Sequence, residues 1–232
     1  MALRIACDLD GTVADMDAAL QEHATTLFGR EVSLRGATAL DPLAVSGGVD
    51  TGEVVIDRGK GLTRREARQL WDHVSGVDNF WLSLKEIEPG NVARLATLAA
   101  SHRWEILFLT QRPMSAGDTA QVQTQRWLRA QGFDMPSVFV MNGSRGKLAA
   151  ALHLDAVVDD RSENCLDVAT ASKARPILVW RGASNAAPPG AKNLGIHIVF
   201  SFAAALDELE SMTASLAKRP SIMSRIRDAI GI

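Results

Sequence analysis

Cysteine is nearly missing from this chain: Cys7 and Cys165 are the two among 232 residues. They lie far apart and outside any metal-ligand spacing, which excludes a disulfide framework and fits a reducing compartment. Charge of one sign is missing too, since the formal net charge is -2 and the pI about 6.2. No global basic field therefore points to nucleic acid or to an anionic membrane surface, and small molecules are the expected partners. No hydrophobic run approaches the length of a membrane span. The first residues include Arg4 but no charged leader followed by an apolar run and a cleavage site, so a cytoplasmic protein is expected. His23, His73, His102, His153 and His197 form no i, i+4 pair and no HExxH pattern, which assigns them surface or core roles rather than a metal. Internal repeats and low-complexity blocks are absent as well.

What the chain does have is material for a core, with 47% hydrophobic residues. Its length suits one compact unit carrying a sizeable insertion. The apolar runs LRIAC, WEILFLT, SVFVMN, DAVVD, PILVW and IHIVF are short and alternate with longer helix-like segments. That rhythm predicts an α/β fold with a parallel sheet covered on both faces. Helices are expected over 15–28, closed by Gly29, and over 89–101, 118–131, 147–153, 163–172 and 201–212. Gly132 would close the third of these.

Residues 30–62 break the rhythm, being rich in glycine and without sustained periodicity, and read as an irregular insertion. In TRREARQLWDHVS, which follows, Thr63 and Glu66 form a capping box, while Ala67, Leu70, Trp71 and Val74 make one apolar stripe. The expected division is a core of 1–15 plus 86–210, a small helical cap over 16–85 after the first strand, and an amphipathic tail over 211–232. In that tail Ile222, Met223, Ile226 and Ile230 follow Pro220, with Arg225 and Arg227 beside them. Docking onto the core or a partner subunit, including a homodimer, suits it better than membrane anchoring. Trp71, Phe80 and Trp81 could pack the cap or stack on a ligand.

The first strand runs into RIACDLDGTVAD, placing Asp8 and Asp10 two positions apart. Side chains at that spacing share a face if the strand persists, and two unpaired carboxylates so close repel. Either one stays protonated or a cation sits between them. Asp15 needs no such explanation, because it can cap the helix that follows. Three further stretches fall where strands should end, the place where open α/β sheets build sites. ILFLTQRP delivers Thr110 and Arg112, NGSRGK delivers Lys147, and AVVDDRSEN delivers Asp159 and Asp160. Arg112 could be a phosphate ligand or a salt-bridge partner, and Lys147, taken alone, would be an ordinary solvated lysine at a helix start.

At DLDGT, LTQR, Lys147 and VVDDR, in that order, the chain resembles the haloacid dehalogenase (HAD) superfamily of phosphohydrolases. The resemblance implies a Rossmann-like, HAD-like core with an inserted cap. The segments NFWLSLKEIEPGNVARL, LTQRP, QRWLRAQGF and VVDDRSEN are similar to the 5'(3')-deoxyribonucleotidase branch. Asp8 would be the nucleophile, since a carboxylate attacking phosphorus splits one hard step into two easier ones. The resemblance implies that Asp10 protonates the leaving oxygen and then activates water, its backbone carbonyl facing the metal. It also implies Mg2+ held by the side chains of Asp8 and Asp160, with Asp159 orienting waters or Lys147. Thr110, Arg112, Gly11 with its neighbouring amides, and Lys147 would hold the phosphoryl group. The expected activity is hydrolysis of a small phosphate monoester such as a (deoxy)nucleoside 5'-monophosphate. A polynucleotide end is the rival substrate, because VVDDR also resembles the phosphatase domain of polynucleotide kinases, and a phosphate-binding module without turnover is the rival class.

Overall fold

A computed structural model describes residues 2–34, 61–182, 187–188 and 190–217. The middle of the irregular insertion, 35–60, and the amphipathic pattern after Pro220 lie outside the described residues. All six apolar runs form strands: β1 Arg4–Asp8, β2 Glu105–Thr110, β3 Ser137–Val140, β4 Ala156–Asp159, β5 Arg175–Val179 and β6 His197–Val199. They build one parallel sheet in the order β3-β2-β1-β4-β5-β6. β1 is central, pairing Ile5 with Ile106 on one side and with Ala156 on the other. Covered on both faces, its middle must be apolar, and Ile5, Ala6 and Cys7 are fully buried. The chain leaves β1 for β2 and β3, then returns to the other side for β4. The carboxyl ends of β1 and β4 are therefore the topological switch point, where a crevice opens.

The helices are α1 Met16–Phe28, α2 Arg64–Ser75, α3 Asn91–His102, α4 Ala120–Ala130, α5 Arg145–Ala151, α6 Ser162–Ala171 and α7 Phe202–Ala217. Local chemistry sets their ends. Asp15 accepts from the Ala18 amide at 3.0 Å, and Gly29 closes α1 in the left-handed conformation. The Thr63–Glu66 capping box is complete, and Ala67, Leu70 and Val74 are the buried stripe of α2.

Several helix boundaries differ from the sequence expectation by one to five residues, and three of them have a clear local cause or consequence. Thr119 caps α4, so that helix starts at Ala120 rather than 118. Helix α7 continues to Ala217, five residues beyond 212 and across the expected start of the tail at 211. Ser144 caps α5 by accepting from the Lys147 amide, so α5 begins at Arg145 rather than 147.

The segment between β1 and α3 is tied to the sheet. Its two ends pair, with Asp15 N–H donating to Lys85 C=O and Ile87 N–H to Val13 C=O. Phe80 and Trp81, in a short 3-10 turn Phe80–Leu82, are fully buried in one apolar cluster with Leu70 of α2 and Ile5 and Phe108 of the sheet. Trp81 donates its indole N–H to Pro113 C=O at 3.0 Å. Phe80 and Trp81 thus pack α2 and the sheet into one apolar cluster.

Candidate active site

The strand ends at Asp8, and the loop that follows turns sharply. Leu9 C=O accepts from both the Val13 and Ala14 amides, and Gly11 lies at φ +87. A Cβ on Gly11 would sit 2.1 Å from Asp160 Oδ2, so both the backbone angle and the close approach demand glycine. Oxygens of Asp8, Asp159 and Asp160 lie within 4.8 Å of one another. This is an all-oxygen donor set, suited to a hard cation. Asp159 is fully buried and held by the Asn164 amide at 2.9 and 3.0 Å and by the Arg161 N–H at 2.9 Å.

Without a cation this corner is electrostatically costly. Burial, reinforced by the charge of Asp159, pushes the Asp8 carboxyl well above the usual range, and Arg145 offsets only part of that. Burial also raises Asp159. Asp160 is pushed up to about 8 by burial and then by Asp159. Three acids that resist ionisation together, with oxygens already converged, fit a bound divalent ion.

Asp10 is not part of this group. Because the chain leaves the strand after Asp8, the two side chains diverge, and each is paired with its own arginine. Arg112 chelates Asp10 with Nη2 at 2.7 Å and Nε at 3.0 Å, while the Thr110 hydroxyl donates to it at 2.9 Å. The Arg112 guanidinium also donates to Thr124 and lies over the Trp81 ring, 4.9 Å from its centroid. Of the two roles open to Arg112, the structure places it as the salt-bridge partner of Asp10. The Thr110 hydroxyl likewise faces Asp10, and the Gly11 amide donates to Ala14 C=O at 3.0 Å.

The cation at the carboxylates is Arg145, where the sequence assigned Lys147. Arg145 Nη2 donates to Asp8 Oδ1 at 2.8 Å, and Nε lies 3.8 Å from Asp159 Oδ2. Its side chain is 2% exposed, whereas Lys147 is on the exposed face of α5. Nε and Nη1 of Arg145 are buried with no hydrogen-bond partner among the described residues. The start of α5 is anchored from α6: Asp167 accepts from the Ser144 hydroxyl at 2.8 Å and from the Gly146 amide at 2.8 Å. Gly146 permits the contact, since a Cβ there would lie 2.2 Å from Asp167 C=O. The missed signal was Ser144, whose capping character starts the helix at Arg145. Asn164, three residues into α6, was missed as well.

Cys7 and Cys165 are buried free thiols; burial pushes Cys7 up to about 12 and Cys165 higher still, so neither is a nucleophile at neutral pH.

No family model and no curated protein matches the chain. Solved structures do. A provisionally assigned phosphoglycolate phosphatase from Lactobacillus delbrueckii subsp. bulgaricus aligns with TM-score 0.53 at 13% identity, covering 87% of this chain and 95% of its own. A hydrolase from Pseudomonas syringae aligns with TM-score 0.52 at 18% identity, covering 90% and 98%. A HAD family hydrolase from Deinococcus radiodurans, with bound phosphate and sodium, aligns with TM-score 0.50 at 13% identity, covering 89% and 96%. The fold of this chain is therefore HAD-like: a Rossmann-type parallel sheet with helices on both faces. Among the described residues no helix is long and apolar enough to cross a membrane.

Proposed function

We propose that the chain is a magnesium-dependent phosphomonoesterase working through an aspartyl-phosphate on Asp8, with a small ester of the (deoxy)nucleoside 5'-monophosphate class as substrate. The observation that carries this reading is the convergence of Asp8, Asp159 and Asp160 beside the buried Arg145 at the switch point of the sheet. The Deinococcus radiodurans hydrolase of similar fold holds phosphate and sodium, in keeping with an anion site and a cation site. Similarity of the LTQRP and VVDDRSEN segments to the deoxyribonucleotidase branch supports a nucleotide. The balanced charge supports a small ester over a polynucleotide, whose backbone calls for a basic groove.

Asp8, Asp159 and Asp160 would hold Mg2+, whose charge would offset the gathered carboxylates and supply Lewis-acid stabilisation to a phosphoryl group. An Asp8 oxygen forms a bond to phosphorus while the ester P–O bond breaks, and Asp10 gives its proton to the leaving oxygen. Water then attacks the phosphorus, Asp10 takes its proton, and Asp8 is released as carboxylate with inorganic phosphate. In the resting geometry Arg112 and Thr110 hold Asp10 with both oxygens accepting, so Asp10 must come off Arg112 to carry the proton in the first transfer. The unpartnered N–H groups of Arg145 offer the charge that a phosphoryl group needs as its negative charge shifts.

The direct test is a panel of nucleotide and sugar phosphates assayed with and without Mg2+. Hydrolysis of nucleoside 5'-monophosphates that stops on chelation is expected, and no hydrolysis across the panel would favour the binding module instead.

A second measurement follows from the raised carboxyls. The folded chain without metal binds a proton at Asp160 up to about pH 8, whereas the unfolded chain releases it near about pH 4. This group's stabilising contribution is therefore complete below about pH 4 and is lost as pH rises through 8. A divalent cation must displace that proton, so its affinity rises over the same window. The increase in Tm on adding Mg2+ is expected to be small at pH 5 and several-fold larger at pH 8. Equal shifts at both would argue against a carboxylate-held ion.

A further inference from the structure

The turn that walls the cation corner is gripped from behind. Two residues past β5, on the same carboxyl edge as Asp159, Arg181 forks onto consecutive carbonyls. Nε donates to Gly11 C=O at 3.2 Å and Nη2 to Thr12 C=O at 2.7 Å. Its Nη1 donates to Glu88 at 2.6 Å. Glu88 follows directly on the return segment of the insertion and is itself pinned. It accepts from the Phe202 and Ala203 amides at the start of α7, at 2.8 and 3.1 Å, and from the Asn91 side chain at 2.9 Å.

The opposite side of the same turn faces Asp160. Gly11 leaves no room for a Cβ there, and the Thr12 hydroxyl lies 3.4 Å from Asp160 Oδ1. The turn is thus sandwiched between a guanidinium and a carboxylate of the cation corner. Both carbonyls accept from the one planar guanidinium, whose rigid fork fixes their relative direction.

We propose that Arg181, braced by Glu88, is a positioning residue that presses the Gly11–Thr12 turn against Asp160 and so sets the affinity of the corner for Mg2+. It is not among the residues that would hold the ion. The inference rests on the reading of this corner as a Mg2+ site. It adds a partner about 170 residues away in sequence from the turn it holds.

The test is isothermal titration of Mg2+ into the full chain carrying Arg181→Met, Arg181→Lys or Glu88→Gln. Arg129→Met, which breaks a surface ion pair with Asp134, is the control. Arg181→Met is expected to weaken Mg2+ binding about tenfold or more, the scale of outer-partner losses at metal sites. Arg181→Lys should fall between, since an ammonium cannot fork onto both carbonyls. The control should bind as wild type does. A lowered Tm with unchanged Mg2+ affinity in Arg181→Met would overturn the proposal. If that variant fails to fold, unchanged affinity in both Arg181→Lys and Glu88→Gln would do the same. Absence of Mg2+ binding by the wild type is a separate result, which defeats the metal reading itself.

Discussion

Asp8→Asn is expected to abolish turnover, lowering kcat by roughly 10⁴-fold or more, while leaving the fold and Tm intact. An amide cannot form the acyl-phosphate, yet it has the size of the carboxyl it replaces. Asn Oδ1 can still accept from Arg145, and a neutral group suits a position whose carboxyl burial already pushes upward. The variant without metal should therefore be no less stable than wild type in thermal melts. Retained hydrolysis would remove Asp8 as nucleophile, whatever the corner binds.

Arg145→Met should cost about 100-fold or more in kcat, whereas Lys147→Met should leave both kcat and KM unchanged. The buried arginine is the cation facing Asp8, and the exposed lysine is two residues on in α5. Methionine preserves much of the stem volume, and the carboxyls left behind can take up protons, so the variant should fold. Steady-state kinetics of the two variants on the same ester separate the assignments. If Lys147→Met shows the large loss and Arg145→Met does not, the lysine moves to the phosphoryl group during turnover and the resting geometry misleads.

The difference between those two residues shows where linear reasoning stops. Both lie in NGSRGK, and both are cations at the start of a helix. Residues two apart on a helix project about 200° apart, on opposite faces, so only the helix start and its neighbour decide which one turns inward. Ser144 capping, with Asp167 of α6 holding the Ser144 hydroxyl and the Gly146 amide, gives the inward position to Arg145. The capping half of that argument was open to sequence reasoning. The packing half, α5 pressed onto α6 at Gly146, was not.

The acids were more legible. Asp8 and Asp159 each close a run of buried strand residues, and carboxyl ends adjoining a switch point must face one crevice. The partners of Asp10 were not legible, because Asp10 leaves the strand and meets an arginine 102 residues onward. Spacing of two predicts a shared face only while the extended backbone lasts, and Gly11 ends it.

The amino-acid order alone determined the six strands, the capped helices and the carboxylates at the strand ends, because periodicity, capping and turn chemistry act over a few residues. Tertiary structure alone decided which charges meet: Arg145 with Asp8, Arg112 with Asp10, Arg181 with the Gly11–Thr12 carbonyls. Ion pairing and burial depend on distance in space, and residues more than 100 positions apart become neighbours only when the sheet assembles.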